Sequence, residues 1–189
     1  MDDVSIIQKM KAAGVCFSSG LTHDTIAKIE KLYEIRFPDS LRTFYQTALP
    51  ISVGDTEFPR WDDFSQENMN LIRERIHAPY RWLMLAIINH PYWLSSWGER
   101  PLTSEDVEKR VGELFKNAPT LLPIYSHRYI PVMEGIEDPP IISSIGRDTV
   151  YYGHTLEEYL RIEFLNDHVQ SFDCVQRIPF WSDIIEGNR

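Results

Sequence analysis

Tyr125, His127, Arg128 and Tyr129 stand together in the run YSHRYIP, which ends at Pro131. A histidine can exchange a proton near neutral pH, and an arginine can clamp an anion through parallel N–H donors. Between two short runs that read as strands, this is the composition of an active site. The spacing argues the other way. Successive strand residues point to opposite faces, so 125, 127 and 129 share one face and 126, 128 and 130 take the other unless a bulge intervenes. His127 and Arg128 then point apart, which weakens a joint catalytic role. The competing reading pairs Arg128 with an acidic residue and lets the tyrosines bury their rings while hydrogen-bonding at their tips. That structural reading is favoured, with a ligand site at Tyr125–Pro131 kept as the alternative.

Other reactive patterns are missing. His23, His77, His90, His154 and His168 form neither HxH nor HExxH, the spacings that set two imidazoles on one metal, although His77 and His90 could meet in space. Cys16 and Cys174 lie far apart, so no CxxC zinc site exists, and reduced, inert thiols are expected. Gly-x-Ser-x-Gly, GxGxxG and GxxxxGK[ST] do not occur. No metal and no cofactor is expected.

The acidic loops carry more information. Asp55, Glu57, Asp62 and Asp63 surround Trp61, and Glu134, Glu137 and Asp138 precede Pro139-Pro140. Carboxylates in loops beside an aromatic suit a basic protein partner: charge steers the encounter and the ring anchors it. Trp61, Asp62, Asp63, Glu134, Glu137 and Asp138 are therefore the candidate partner-binding residues. A solvated loop with Trp61 in the core is the equal alternative. Adjacent Asp62 and Asp63 do not oppose each other across a cleft, as a hydrolase pair would. The charge balance agrees with this partner class. Nineteen basic residues against 28 acidic ones leave a net charge of −9 and a pI near 5.1, which disfavours nucleic acid and anionic membranes.

These residues need a scaffold, and the 189-residue chain, 43 % hydrophobic and 12 % aromatic, can build one. Val4, Ile7 and Met10 mark a short helix. Thr22 caps a second, with Ile26, Ile29, Leu32 and Tyr33 on one face to about Arg36. Pro38 starts a third through Leu41, Phe44, Tyr45 and Ala48, stopped by Pro50, and the pair reads as an αα-hairpin. Ser65 opens a long helix interrupted by Pro79. The aromatic run RWLMLAIINHPYWLSSWG follows, its Tyr80, Trp82, Tyr92, Trp93 and Trp97 read as core. Thr103 or Ser104 caps a helix with Val107, Val111, Leu114 and Phe115 on one face. Then Leu121–Ile124, Ile130–Val132, Ile141–Ile145 and Val150–Tyr152 alternate with Gly and Pro as an antiparallel meander. Thr155 caps the last clear helix, and Pro179–Ile185, with Trp181 in the core, closes the chain. No stretch reaches the roughly 20 apolar residues of a membrane span, and Asp2 and Asp3 stand where a secretory leader needs positive charge. One cytoplasmic α+β domain is expected.

Two blocks resemble the SUKH superfamily, which includes the yeast Smi/Knr-type regulator of cell-wall synthesis and many bacterial immunity proteins. The first is TIAKIEKLYEIRFPDSLRTFYQTA, residues 25–48. The second is Pro123–Val132 with IISSIGRDTVYYGHTLEEYLRIEF, residues 141–164. The chain departs from shorter members over about residues 65–117, a helical insertion, and has Leu49-Pro50 where they have Gly-Gly. The resemblance implies an antiparallel sheet with helices packed against it. It also implies a non-catalytic role, chiefly neutralising a toxin, often a nuclease, by direct binding; a monomer or homodimer is expected. A regulatory scaffold of the yeast type is the alternative, and an enzyme centred on His127 and Arg128 ranks below both.

Overall fold

Four helix starts rest on hydroxyl caps. Thr22, Ser65, Thr103 and Thr155 each accept a hydrogen bond from the backbone N–H three residues on, at 3.1–3.3 Å. The computed structural model describes residues 2–54, 57–168 and 171–187. The helices are α1 (Asp3–Ala12), α2 (His23–Tyr33), α3 (Asp39–Thr47), α4 (Gln66–Asn89), α5 (Ser104–Phe115), α6 (Leu156–Leu165) and α7 (Trp181–Gly187), with a 3-10 turn at Ser95–Trp97. Strands β1 (Cys16–Ser19) and β2 (Ala48–Ile51) form an antiparallel pair. Strands β3 (Leu121–Tyr125), β4 (Arg128–Pro131), β5 (Ile141–Ile145) and β6 (Asp148–Gly153) form the expected antiparallel meander in the order β3-β4-β5-β6. The α+β class is thus observed.

Several boundaries differ from expectation for local reasons. Val4 is exposed, because α1 buries Ile6, Ile7 and Met10 instead. Helix α2 ends at Tyr33, where Glu34 turns left-handed at φ 54°. The link to α3 is fixed by Glu30, which accepts from the Phe37 N–H at 2.8 Å and from Arg42 at 2.5 Å. Helix α3 stops before Pro50. Ala48 and Pro50 belong to β2, with Pro50 opposite Phe17. Proline tolerates an edge position because no N–H is needed there. Helix α4 runs on through Pro79 for 24 residues and absorbs the first half of the aromatic run. Tertiary packing overrides the lost hydrogen bond: Ala78, Pro79, Leu83, Met84 and Ile87 are all buried.

The four-stranded sheet is covered on both faces, as period-two alternation requires. Leu122, Ile124, Ile130 and Ile141 join a core with α1, α2, α3 and α6. Leu121, Tyr129, Ile142 and Tyr151 join a second core with the end of α4, the 3-10 turn, α5 and α7. The stretch read as an insertion therefore supplies the cover for one sheet face. Trp97 stacks on Phe180, and Trp181 packs edge-on to Phe115, so these aromatics are core as expected. Tyr80, Tyr92 and Trp93 are half-buried against the same core, whereas Trp82, also half-buried, does not join it.

Candidate functional site

The candidate acidic residues fall into two groups with different fates. In the loop before α4, Trp61 is 1 % exposed, packed edge-on against Phe37 and Tyr33. It cannot anchor a partner, and the anchor expectation is corrected to core. Asp62 pairs with Arg60 at 3.3 Å. Asp63 accepts from the Ser65 N–H at 2.9 Å, which holds its carboxyl below the usual range. Asn68 donates to the carbonyls of Arg60 and Asp63, tying the loop to α4. This loop spends its acids locally. Asp55 lies outside the described residues.

The 134–138 loop differs. Asp138 caps α6 by accepting from the Leu156 N–H at 3.0 Å, and the Glu137 carbonyl accepts from Ser40 N–H at 3.0 Å. These two bonds and the left-handed Gly135 hold the loop against the start of α3. The exposed carboxylates of Glu134 and Glu137 form no ion pair or hydrogen bond among the described residues. A recess of about 590 Å³ runs from Arg36–Asp39 to Val132–Glu137, with Met133 and Ile136 half-buried at its edge. A second, of about 210 Å³, is lined by Asp3, Asp39, Ser40, Thr43, Glu137 and Asp138, four carboxylates and no base.

Asp3 carries the chemistry of the smaller recess. It is 8 % exposed, and its Oδ1, like Ser40 Oγ, has no hydrogen-bond partner. Burial pushes its carboxyl above the ordinary 3.8, and the carboxylates of Asp2, Glu157 and Asp138 add to the rise. A folded-state pKa above the unfolded one means the folded chain holds the proton more tightly. The charged form then costs stability, absent below about pH 3.8 and growing as pH rises above it. Asp3→Asn is expected to be at least as stable as the wild type at neutral pH. It should also remove part of the fall in stability as pH rises from about 3.8 through the raised folded-state pKa. Thermal unfolding across a pH series checks this; a neutral-pH loss with an unchanged pH slope would show Asp3 already satisfied.

At the hairpin, His127 sits in the turn and lines a cleft on one side, while Arg128, the first residue of β4, turns to the other, so the two do not act together. The Arg128 Nε donates to Glu163 at 3.1 Å and its Nη1 to Ser143 Oγ at 3.1 Å, with its guanidinium 3.8 Å from the Tyr152 ring centroid. A bulge between Pro123 and Tyr125 turns Tyr125 to the same side, against Phe58 and Phe164. Tyr125 therefore does not share the face of Tyr129. Neither hydroxyl has a hydrogen-bond partner among the described residues, contrary to the expectation of bonded tips.

On the His127 side lies a cleft that the sequence reading missed. It measures about 660 Å³ and is lined by Leu71, Arg75, Ala78 and Trp82 of α4, with Phe58, His127, Tyr129 and Ile145 opposite. Burial, with the neighbouring Arg128 charge, lowers the His127 pKa, so its imidazole is neutral at pH 7. The 71–75–78–82 spacing of one helical face was the available signal. Among the described residues no group of His, Cys, Asp and Glu could hold a metal, and no helix is long and apolar enough to cross a membrane. Cys16 and Cys174 are free and exposed. No protein-family model, curated protein or solved structure matches this chain.

Proposed function

We propose that this chain is a non-enzymatic, cytoplasmic protein-binding domain of the immunity type, which neutralises a basic toxin by covering it. The observation that carries the reading is the acidic edge. Glu134 and Glu137 have no counter-ion among the described residues; both line the larger recess, and Glu137 also borders the smaller one, where Asp3 Oδ1 and the Ser40 hydroxyl are unsatisfied. A lysine or arginine side chain of the partner fits that need, because an ammonium or guanidinium brings several donors and a compensating charge. Met133 and Ile136, half-buried beside the larger recess, take the apolar role first assigned to Trp61. Both recesses are built from helix starts and a short capped loop, so the surface is held rigid before the partner arrives, which limits the ordering cost of binding. The resemblance of residues 25–48 and 141–164 to SUKH proteins supports the same reading.

Co-expression tests it. The reading expects that a basic protein encoded beside this chain's gene is toxic alone and harmless with this chain. It expects toxicity to return with Glu134→Lys/Glu137→Lys, two exposed positions whose reversal leaves the core untouched. A rim pair of this kind acts mainly on association, by roughly 10-fold or more at low salt. Full protection by the reversed variant would remove the acidic edge from the mechanism. Toxicity untouched by the wild type would remove the immunity role.

A further inference from the structure

We propose that the cleft between α4 and the β3–β4 hairpin binds a small amphiphilic anion, an aryl or branched alkyl carboxylate. The site shares no lining residue with the acidic recesses, so it stands or falls independently of the protein-binding reading.

The volume of about 660 Å³ falls within the roughly 300–1,000 Å³ of small-molecule pockets. The walls are apolar and uncovered. Leu71 is 52 % and Ile145 48 % exposed, and Trp82 adds an aromatic ring to the lining. A ring or branched chain laid along Leu71, Ala78 and Trp82 would remove that surface from water.

Charge selects the head group. Arg75 forms no ion pair among the described residues. Its Nη2 is held by the Ser126 carbonyl at 3.0 Å and the Glu57 carbonyl at 3.2 Å, which fixes the guanidinium at the cleft wall without neutralising it. A largely buried cation that is hydrogen-bonded only to carbonyls, with the Glu57 carboxylate near enough to attract it but forming no ion pair, favours an incoming anion. Arg81 is a second cation at the cleft that forms no ion pair among the described residues, whereas Arg60 is occupied by Asp62. Glu57 and Glu74 lie at the exposed rim and pair with neither Arg75 nor Arg81. They set a limit on ligand charge and keep a bulky polyanion out.

Neutral donors complete the site. The Tyr129 hydroxyl has no hydrogen-bond partner among the described residues, and burial pushes its phenol up to about 12, so it stays protonated and able to donate. His127 Nδ1 lies 3.1 Å from Ser126 Oγ. With that hydroxyl donating to Nδ1, the Nε2–H is left to donate. Ser126 holds a left-handed φ of 46°, and its N–H donates to the Glu57 carbonyl at 3.0 Å. The turn that carries His127 is therefore anchored to the same carbonyl as Arg75, and the donors are positioned together.

The test is an NMR titration with 3-phenylpropionate and its uncharged analogue 3-phenylpropanamide, following the Trp82 indole and His127 ring resonances. The carboxylate is expected to shift both and to saturate at about 1–10 mM, as a fragment of this size allows. The amide should bind at least ~10-fold more weakly, the ratio of one charge-assisted contact. Leu71→Glu, at an exposed position that does not disturb folding, should abolish the shifts, and Arg81→Gln should weaken binding several-fold. Equal affinity for acid and amide, shifts that map away from the cleft, or no saturation would each overturn the proposal.

Discussion

Trp61→Ala is expected to destabilise the domain by about 3–5 kcal/mol, the cost of removing a large ring from a packed core. The indole is 1 % exposed and makes edge-on contacts with Phe37 at 5.1 Å and Tyr33 at 5.7 Å between centroids. Native domains are stable by about 5–15 kcal/mol, so the variant would sit near the edge of folding, with a melting temperature lower by roughly 10 °C or more. Trp61→Phe should lose far less. It keeps most of the ring surface, and the Nε1–H it deletes makes no well-formed hydrogen bond among the described residues, its polar neighbour being the buried Tyr45 hydroxyl. Thermal unfolding by circular dichroism separates the two roles assigned to this residue. A stable Trp61→Ala that loses only partner binding would restore the surface-anchor role that its burial denies.

Arg128→Ala should cost a further large amount, about 3–5 kcal/mol, by leaving Glu163 charged and unpaired. The two side chains are 11 % and 17 % exposed, so solvent screens them little. The double variant Arg128→Met/Glu163→Leu is expected to recover most of the loss, because an apolar pair removes both charges together. The cycle of single and double variants measures the coupling directly. An Arg128→Ala as stable as the wild type would mean the guanidinium is not committed to this pair and is free for a ligand.

Much of the scaffold was legible because local chemistry fixes it. The hydroxyl caps at Thr22, Ser65, Thr103 and Thr155 mark helix starts through one hydrogen bond each, and the Gly- and Pro-punctuated runs from Leu121 to Tyr152 mark the meander through alternation alone. Boundaries set by distant packing were not legible. Pro79 reads as a break, yet α4 continues through it because burial on the sheet outweighs the missing bond. Val4 fits the same helical period as Ile7 and Met10, and only the position of the core decides that Ile6 is buried in its place.

The sites show the same division. Alternation separated His127 from Arg128, although His127 sits in the turn rather than on a strand, and the bulge that carries Tyr125 to the Arg128 side leaves no mark in the sequence. Acidic loops were visible as composition. Which acids remain unspent was not, since Asp62 depends on Arg60 and Asp63 on the Ser65 N–H. Asp3 and Asp39 come from α1 and α3 to meet Glu137 and Asp138. No spacing rule joins residues so far apart in the chain, and the recess they form required the fold.

The measurement closest to the central claim is parallel affinity capture from the native host, with wild-type and Glu134→Lys/Glu137→Lys baits eluted by a salt gradient. The acidic-edge mechanism predicts one basic protein on the wild-type bait, released as salt screens the contact over a Debye length of about 10 Å at 0.1 M, and missing from the reversed bait. The same basic protein held equally by both baits, or only copies of this chain on the wild type, would contradict it.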